Sequence, residues 1–277
     1  MPLLKNILRG LKYYGLKIIH FLDVGTRLIN MTRNKYKVIF YKDIKLTFSV
    51  PNWLCRYRVD TFASKEPETL EWIDRFPEES VFWDLGANIG LYSIYAAKKR
   101  KCRVFSFEPS IFNLESLARN ISLNNLTTLV CLIPLAVGNK TEIGLLHMSS
   151  TEWGGALSTF GKTYGYDGKE LNQIFEYSIL SVSLDDAVTK LGLPSPHYLK
   201  IDVDGIEHLI LSGGLSVLRS VRSVLIEIST GFQEQAMLSK KHLEEAGLTI
   251  IESHLDELSN RDSSSITGTV NQIWGRI

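Results

Sequence analysis

From residue 81 onward the apolar positions of the chain alternate between two spacings. Short solid runs, VFWDL at 81–85, RVFSF at 103–107, LVCLIP at 129–134, YLKI at 198–201 and SVLIEI at 223–228, read as strands buried on both faces. Between them Leu91, Ile94, Tyr95 and Ala97, then Ile111, Leu114, Leu117, Ala118 and Ile121, recur at three- and four-residue steps and predict helices. Further helices are predicted over 184–191, over 206–218 with a break at Gly213-Gly214, and over 240–246; 248–253 and 267–276 form a closing pair of strands around a polar loop at 260–265. The sum is an α/β fold, a doubly wound sheet of seven strands, mixed because its last two form a hairpin-like pair.

Two regions depart from this rhythm. Before residue 61, Leu3, Leu4, Ile7, Leu8, Leu11, Tyr14 and Ile18 mark the apolar face of a helix over 3–22, and β-rich runs at 36–41 and 44–50 flank Lys42-Asp43 as a hairpin. A helix over 68–76, closed by Pro77, leads into the first core strand. Residues 141–183 break the alternation again, with strand-like 143–148 and 177–182 around a glycine-rich segment, and are read as an inserted hairpin. The chain is thus divided into an N-terminal extension, 1–60, and a core domain, 61–277.

At 277 residues and 44% hydrophobic content the chain can bury one substantial core. A net charge of +1 supplies no overall field for nucleic acid, and none is expected as a partner. The head is locally basic, with Lys5, Arg9, Lys12 and Lys17 on the 3–22 helix. Its apolar face can pack on the domain or a second subunit, giving a homodimer, or lie on anionic lipid as a peripheral membrane contact. No apolar run reaches the roughly 20 residues of a membrane span. Three dispersed cysteines without ligand spacing, Cys55, Cys102 and Cys131, suit reduced thiols in a cytoplasmic protein.

The chemistry gathers at residues 81–90. A strand ends in Asp84, and Gly86 and Gly90 bracket Ala87-Asn88-Ile89, so that backbone can approach a ligand at the strand's carboxyl end. Glu108, ending the second strand, can hydrogen-bond both hydroxyls of a ribose and points to an adenosine-bearing cofactor. Asn88 and Leu91 stand where a dinucleotide fingerprint has its second and third glycines, which disfavours a pyrophosphate. Asp84 repels phosphate but suits a cationic, zwitterionic amino-acid chain. S-adenosylmethionine meets both conditions.

The segments VFWDLGANIG, FSFEPS, LAVGN, SVSLDDAV, YLKIDVDGIE and SVLIEI, in that order, resemble the FkbM-type S-adenosylmethionine methyltransferases over residues 61–277. The resemblance implies a class I, Rossmann-like methyltransferase fold and O-methylation of a hydroxyl on a sugar, glycan precursor or secondary metabolite. It implies that Asp84, Gly86, Ala87, Asn88 and Gly90 line the methionine portion, that Glu108-Pro109 holds the ribose, that Ala136 and Val137 flank the adenine, and that Asp202 closes the site. Asp204 departs from the family's usual Glu and is one methylene shorter.

Methyl transfer asks for in-line approach, exclusion of water and removal of the hydroxyl proton. Asp202, Asp204 and Glu227 are the candidate catalytic carboxylates, with His254 a further base; Asp204 and Glu207 serve equally as caps of the following helix. His208 and His254 are otherwise satisfied histidines. No dedicated metal site is read, although Asp202 and Glu227 could hold Mg²⁺ through two carboxylates. Trp153 and Tyr164 to Tyr166 can stack on a sugar or anchor the inserted loop. The alternatives to a methyltransferase are a nicotinamide-dependent oxidoreductase, which lacks its glycines here, and a methyltransferase fold that only binds.

Overall fold

The computed structural model of the chain describes residues 5–7, 9–15, 23–255 and 268–276. Of the helix expected over 3–22, residues 5–7 and 9–15 are helical, and the remainder lies outside the described residues, as does the loop at 260–265. Next come a helix Val24–Arg33 and an antiparallel hairpin, β1 (Tyr36–Tyr41) and β2 (Ile44–Ser49). Lys42 and Asp43 turn this hairpin at positive φ, +44° and +67°, the twist that a two-residue connection favours. Helices Trp53–Asp60 and Pro67–Asp74 follow, the second opening on Pro67 where a missing N–H costs nothing.

The core alternates as its apolar runs dictate. It comprises β3 (Val81–Leu85), helix Leu91–Arg100, β4 (Arg103–Phe107), helix Ile111–Leu123 and β5 (Val130–Ile133). Then come β6 (Ala136–Val137), β7 (Glu142–Met148), β8 (Ser158–Phe160), β9 (Phe175–Val182) and helix Leu184–Thr189. β10 (Tyr198–Ile201), helices Glu207–Ser212 and Leu215–Ser220, β11 (Ser223–Ser229), helix Gln233–Glu245, β12 (Thr249–Leu255) and β13 (Thr269–Gly275) complete it. Seven strands form one sheet in the order β5-β4-β3-β10-β11-β13-β12. The first five are mutually parallel and β13 runs antiparallel between β11 and β12. This is the Rossmann-like class I methyltransferase arrangement, a doubly wound sheet whose winding reverses between β3 and β10.

The insertion is larger than a hairpin. β7 and β9 pair antiparallel as expected, but β8 pairs with β7, and β6 pairs parallel with β9, so a second four-stranded sheet forms in the order β6-β9-β7-β8. β6 and β8 are two and three residues long, too short to leave a period in the sequence.

Strand parity sorts the core into two layers. Val81, Trp83 and Leu85 of β3 pack on one face of the sheet with Phe107, Ile201, Leu211 and Leu218. Phe82 packs on the other with Ile94, Leu117 and, from the hairpin, Leu46 and Phe48. The hairpin is bound to the core by Asn120, whose Oδ1 accepts from Ser49 N at 2.6 Å, and by Asn124, whose Oδ1 accepts from Thr47 N at 3.0 Å. The helix Pro67–Asp74 is tied to the sheet's far side. Asn271 Nδ2 donates to buried Glu68 at 2.7 Å, and Trp72 Nε1 donates to Ser223 Oγ, which donates to Trp274 O.

Candidate active site

The site lies at the carboxyl ends of β3, β4, β10 and β11, where the winding reverses. The turn after β3 is held open by its backbone. Gly86 N and Ala87 N both donate to Phe107 O at 3.0 Å, and Gly86 has φ +79°. A Cβ on Gly86 would lie 1.8 Å from Asp202 O, so only glycine lets the β3 and β10 ends approach this closely. Gly90, φ +83°, opens the helix Leu91–Arg100 against Leu117.

Three adjoining cavities surround Gly86. One, about 180 Å³, is walled by Arg58, Lys65, Glu66, Ala87, Asn88, Tyr92, Lys200 and Asp202. The second adds Glu108, Pro109, Asn113, Gly155, Val203, Asp204 and Glu227. The third is a narrow apolar slot of Phe107, Pro109, Leu135, Ala136, Val137, Phe160 and Ile206.

Most of the residues singled out in the sequence meet here. Glu108 is buried and accepts from Asn88 N at 2.7 Å and Ser110 N at 2.9 Å, while burial pushes its carboxyl up to about 7. Ala136 and Val137 stand in the slot beyond it, and Pro109 borders both the slot and the second cavity. Asp202, Asp204 and Glu227 all face the second cavity. Asp84 does not line any of the three. Being an even position of β3 it points to the layer of the helix Leu91–Arg100, 1% exposed, where Ser93 Oγ donates to it at 2.5 Å. Burial raises its pKa, against the opposing field of Lys200.

Charges in the site are distributed unevenly. Lys200, 2% exposed, pairs with Asp202 at 2.6 Å and lies 5.1 Å over the Tyr92 ring. Burial works against its charge, but Asp202, Glu66 and Asp84 together raise its pKa. Lys65 pairs with buried Glu66 at 2.9 Å; despite burial, Lys200 and Lys65 hold that carboxyl down to about 2. Glu227 is raised well above the carboxylate range by burial and then by Asp202, Glu66 and Asp204. Its Oε1 accepts from Thr269 Oγ1 at 3.0 Å. Glu207 is the first residue of its helix and does not cap it: its Oε1 accepts from Val203 N and Gly205 N of the preceding loop, and burial raises its pKa to about 7.

Asp204 serves the insertion. At φ +64° its Oδ2 accepts from Leu157 N at 2.7 Å and Ser158 N at 3.3 Å, and burial followed by the field of Asp202 raises its pKa to about 6. The preceding strap, 153–157, is pinned across the second cavity. Gly155 O accepts from Asn88 Nδ2 at 2.8 Å and Asn113 Nδ2 at 3.0 Å, and Gly154 O accepts from Arg58 Nε at 2.7 Å. Trp153 anchors the strap through Glu115, and Tyr164 packs edge-on against Phe232, so both act as packing anchors. His208 packs against Phe232 and His254 pairs with Glu252; neither lines the three cavities.

Arg58, Lys65, Glu66, Tyr92 and Asn113 line the site without having been singled out in the sequence. The helix Trp53–Asp60 that carries Arg58 mixes aromatic, charged and polar residues without an apolar stripe, and Lys65-Glu66 before Pro67 reads as an ordinary exposed helix start. Only Asn113, in register with its cap Ser110, had a local signal.

A sequence profile of the methyltransferase FkbM domain matches residues 84–259. The chain belongs to the FkbM methyltransferase family. It is therefore an enzyme of methyl transfer, and the oxidoreductase reading falls. Among relatives of this FkbM protein, the hexuronic acid methyltransferase AglP of Haloferax volcanii is 28% identical over 196 residues, 71% of this chain and 73% of AglP. Similar solved structures include the precorrin-6y C5,15-methyltransferase of Geobacter metallireducens, at TM-score 0.42 and 15% identity over 76% of this chain and 84% of that one. TYW2 of M. jannaschii in complex with AdoMet has TM-score 0.44 and 13% identity over 87% of each chain. Among the described residues no group of three or more His, Cys, Asp or Glu side chains is arranged for a metal ion. With Lys200 on Asp202, the Mg²⁺ pair considered from sequence loses one of its carboxylates to an ammonium. No helix of the described residues is long and apolar enough to cross a membrane.

Proposed function

We propose that this FkbM protein is an S-adenosylmethionine-dependent O-methyltransferase acting on a hydroxyl of a sugar or glycan precursor. The observation that carries the reading is the sequence of cavities around Gly86: an apolar slot, a ribose-sized space facing Glu108, and a charged cavity over the glycine turn. The residues fit the cofactor. Ala136, Val137 and Phe107 would enclose the adenine, Glu108 with Pro109 would receive the ribose diol, and Gly86, Ala87 and Asn88 would border the methionine chain. Asn88 Oδ1, buried and without a partner among the described residues, is an acceptor waiting for a donor in this region. Asp84, through Ser93, would act behind the wall by its charge and by fixing the helix start. Gly90 would act through the turn.

The cofactor would bring a methyl group already activated on a sulfonium, so the chain's own work is orientation, dryness and one proton. The strap held by Asn88, Asn113 and Asp204 would exclude water. Of the three carboxylates, Asp202 is occupied by Lys200 and Asp204 by two backbone N–H groups. Glu227, with its raised pKa, is the carboxylate best able to take the hydroxyl proton. The AglP likeness supports a saccharide acceptor. Residence in the cytoplasm, and a lipid or subunit contact through residues 3–22, belong to the same proposal; Ile7, Leu11 and Tyr14, spaced along one helical face, are exposed.

The test is calorimetric titration with S-adenosylhomocysteine and, in parallel, NAD. Micromolar binding of the first alone, weakened at least tenfold by Glu108→Ala, is expected. Binding of neither ligand to the folded chain, or unchanged affinity in Glu108→Ala, would overturn the cofactor assignment.

A further inference from the structure

The charges in the first cavity do not cancel. Its wall carries three cations, Arg58, Lys65 and Lys200, against two carboxylates, Glu66 and Asp202. Lys65 is paired with Glu66 at 2.9 Å and Lys200 with Asp202 at 2.6 Å. Arg58 is left over. Its Nε donates to Gly154 O at 2.7 Å, which fixes the guanidinium plane, and among the described residues neither Nη nitrogen has a hydrogen-bond or ion-pair partner. The side chain is half-buried and belongs to the walls of both the first and second cavities.

An arginine with one edge engaged and its terminal fork free, in a first-cavity wall that has one more cation than carboxylates, is built to receive a planar monoanion. Lysine at this place would offer a point charge; the fork offers two parallel donors in one plane. The surroundings narrow the ligand further. Leu54, Tyr57, Phe62 and Leu91 line the same cavity, which suits an organic carboxylate with an apolar or ring-bearing body and not a free inorganic ion.

We infer that Arg58 is a carboxylate-binding residue of this site, holding a ligand carboxylate through its free Nη pair. The inference rests on the methyltransferase reading above. Two ligands of that reaction can supply the group: the α-carboxylate at the methionine end of the cofactor, or a carboxylate on a uronic-acid acceptor. In either case Arg58 also links ligand to strap, because the same guanidinium holds Gly154 O.

Calorimetry on the full chain separates the sources. S-adenosylhomocysteine has the amino-acid carboxylate and 5′-methylthioadenosine lacks it. If the cofactor is the source, Arg58→Met lowers affinity for S-adenosylhomocysteine at least tenfold and leaves that for 5′-methylthioadenosine within twofold; Arg58→Lys falls between. If the acceptor is the source, both nucleosides bind Arg58→Met as they bind the wild type. In that case, with S-adenosylhomocysteine present, wild type prefers p-nitrophenyl β-D-glucuronide over the β-D-glucoside at least tenfold and Arg58→Met does not. The unchanged affinity for the ligand without a carboxylate shows that the variant is intact. Arg58→Met that alters neither ratio overturns the inference, as does an equal loss for both nucleosides. Failure of wild type to bind either nucleoside would instead overturn the methyltransferase reading on which it rests.

Discussion

Lys200 Nζ lies 2.6 Å from Asp202 Oδ2, two residues along the same strand end, with the lysine only 2% exposed. The lysine serves more than this one partner, since the fields of Glu66 and Asp84 also bear on it. It is the buried cation around which the acids beneath the site are assembled. Lys200→Met would leave those carboxylates without it, and a loss of about 3–5 kcal/mol is expected in urea unfolding. A loss under about 1 kcal/mol would mean that the acids take up protons instead and that the cluster is not held by charge.

Gly86→Ala tests the closeness of β3 and β10. The new methyl would collide with Asp202 O and the residue would have to keep φ +79°. Destabilisation of more than about 3 kcal/mol, with loss of S-adenosylhomocysteine binding, is the expected outcome. A thermal midpoint within a degree or two of wild type would refute the steric account.

Glu227→Gln removes the proposed base and keeps its shape. Turnover should drop by about a hundredfold or more while S-adenosylhomocysteine affinity stays within a few-fold. In the wild type, kcat should climb with pH through a single ionisation above the ordinary carboxylate range, since the base must lose its proton first. That limb should vanish in the variant. A limb that survives would assign the proton transfer to another group.

Stability should also respond to pH in a particular direction. Asp204, Glu108 and Glu207 have folded-state values of about 6, 7 and 7, raised chiefly by burial. Between the ordinary carboxylate values and these, the folded chain binds more protons than the unfolded chain, so stability falls as pH rises through that window. Glu66, held down to about 2, works oppositely: its contribution is present above the ordinary glutamate value and is lost as pH falls towards 2. Without ligand, the thermal midpoint should therefore be higher near about pH 5 than near about pH 7.5. A midpoint rising steadily from 5 to 8 would contradict these assignments.

The parts of this architecture that were legible in the sequence are those with a period. Val81–Leu85, Arg103–Phe107, Tyr198–Ile201 and Ser223–Ser229 are strands because unbroken apolar runs suit a sheet covered on both faces, and Glu108, Asp202 and Glu227, at or just beyond the ends of the last three, fall at the ligand-facing rim. Asp84 was legible as a functional acid but not in its direction, which depends on strand parity against a helix that must first be placed. The helix Trp53–Asp60 was not read at all: two of its eight residues are buried, and its partners are distant in sequence, Lys37 of the hairpin for Asp60 and the strap about a hundred positions on for Arg58. Arg58, Lys65 and Glu66 owe their roles to that long-range folding, and no local spacing announces it.

The bond between Glu68 and the last strand, and the relay from Trp72 through Ser223 to that strand, have a consequence for what can be excised. The span shared with the FkbM family, 84–259, omits both ends of the Glu68–Asn271 bond, and omits β13, which sits inside the sheet between β11 and β12. A chain trimmed to that span would expose a full edge of β11, strand β12 with no neighbour, and the apolar layer now covered by Leu46 and Phe48. The stretch by which relatives are recognised is thus smaller than the stretch that can stand alone in water, and protease-trimmed or recombinant fragments should be cut outside both the hairpin and β13.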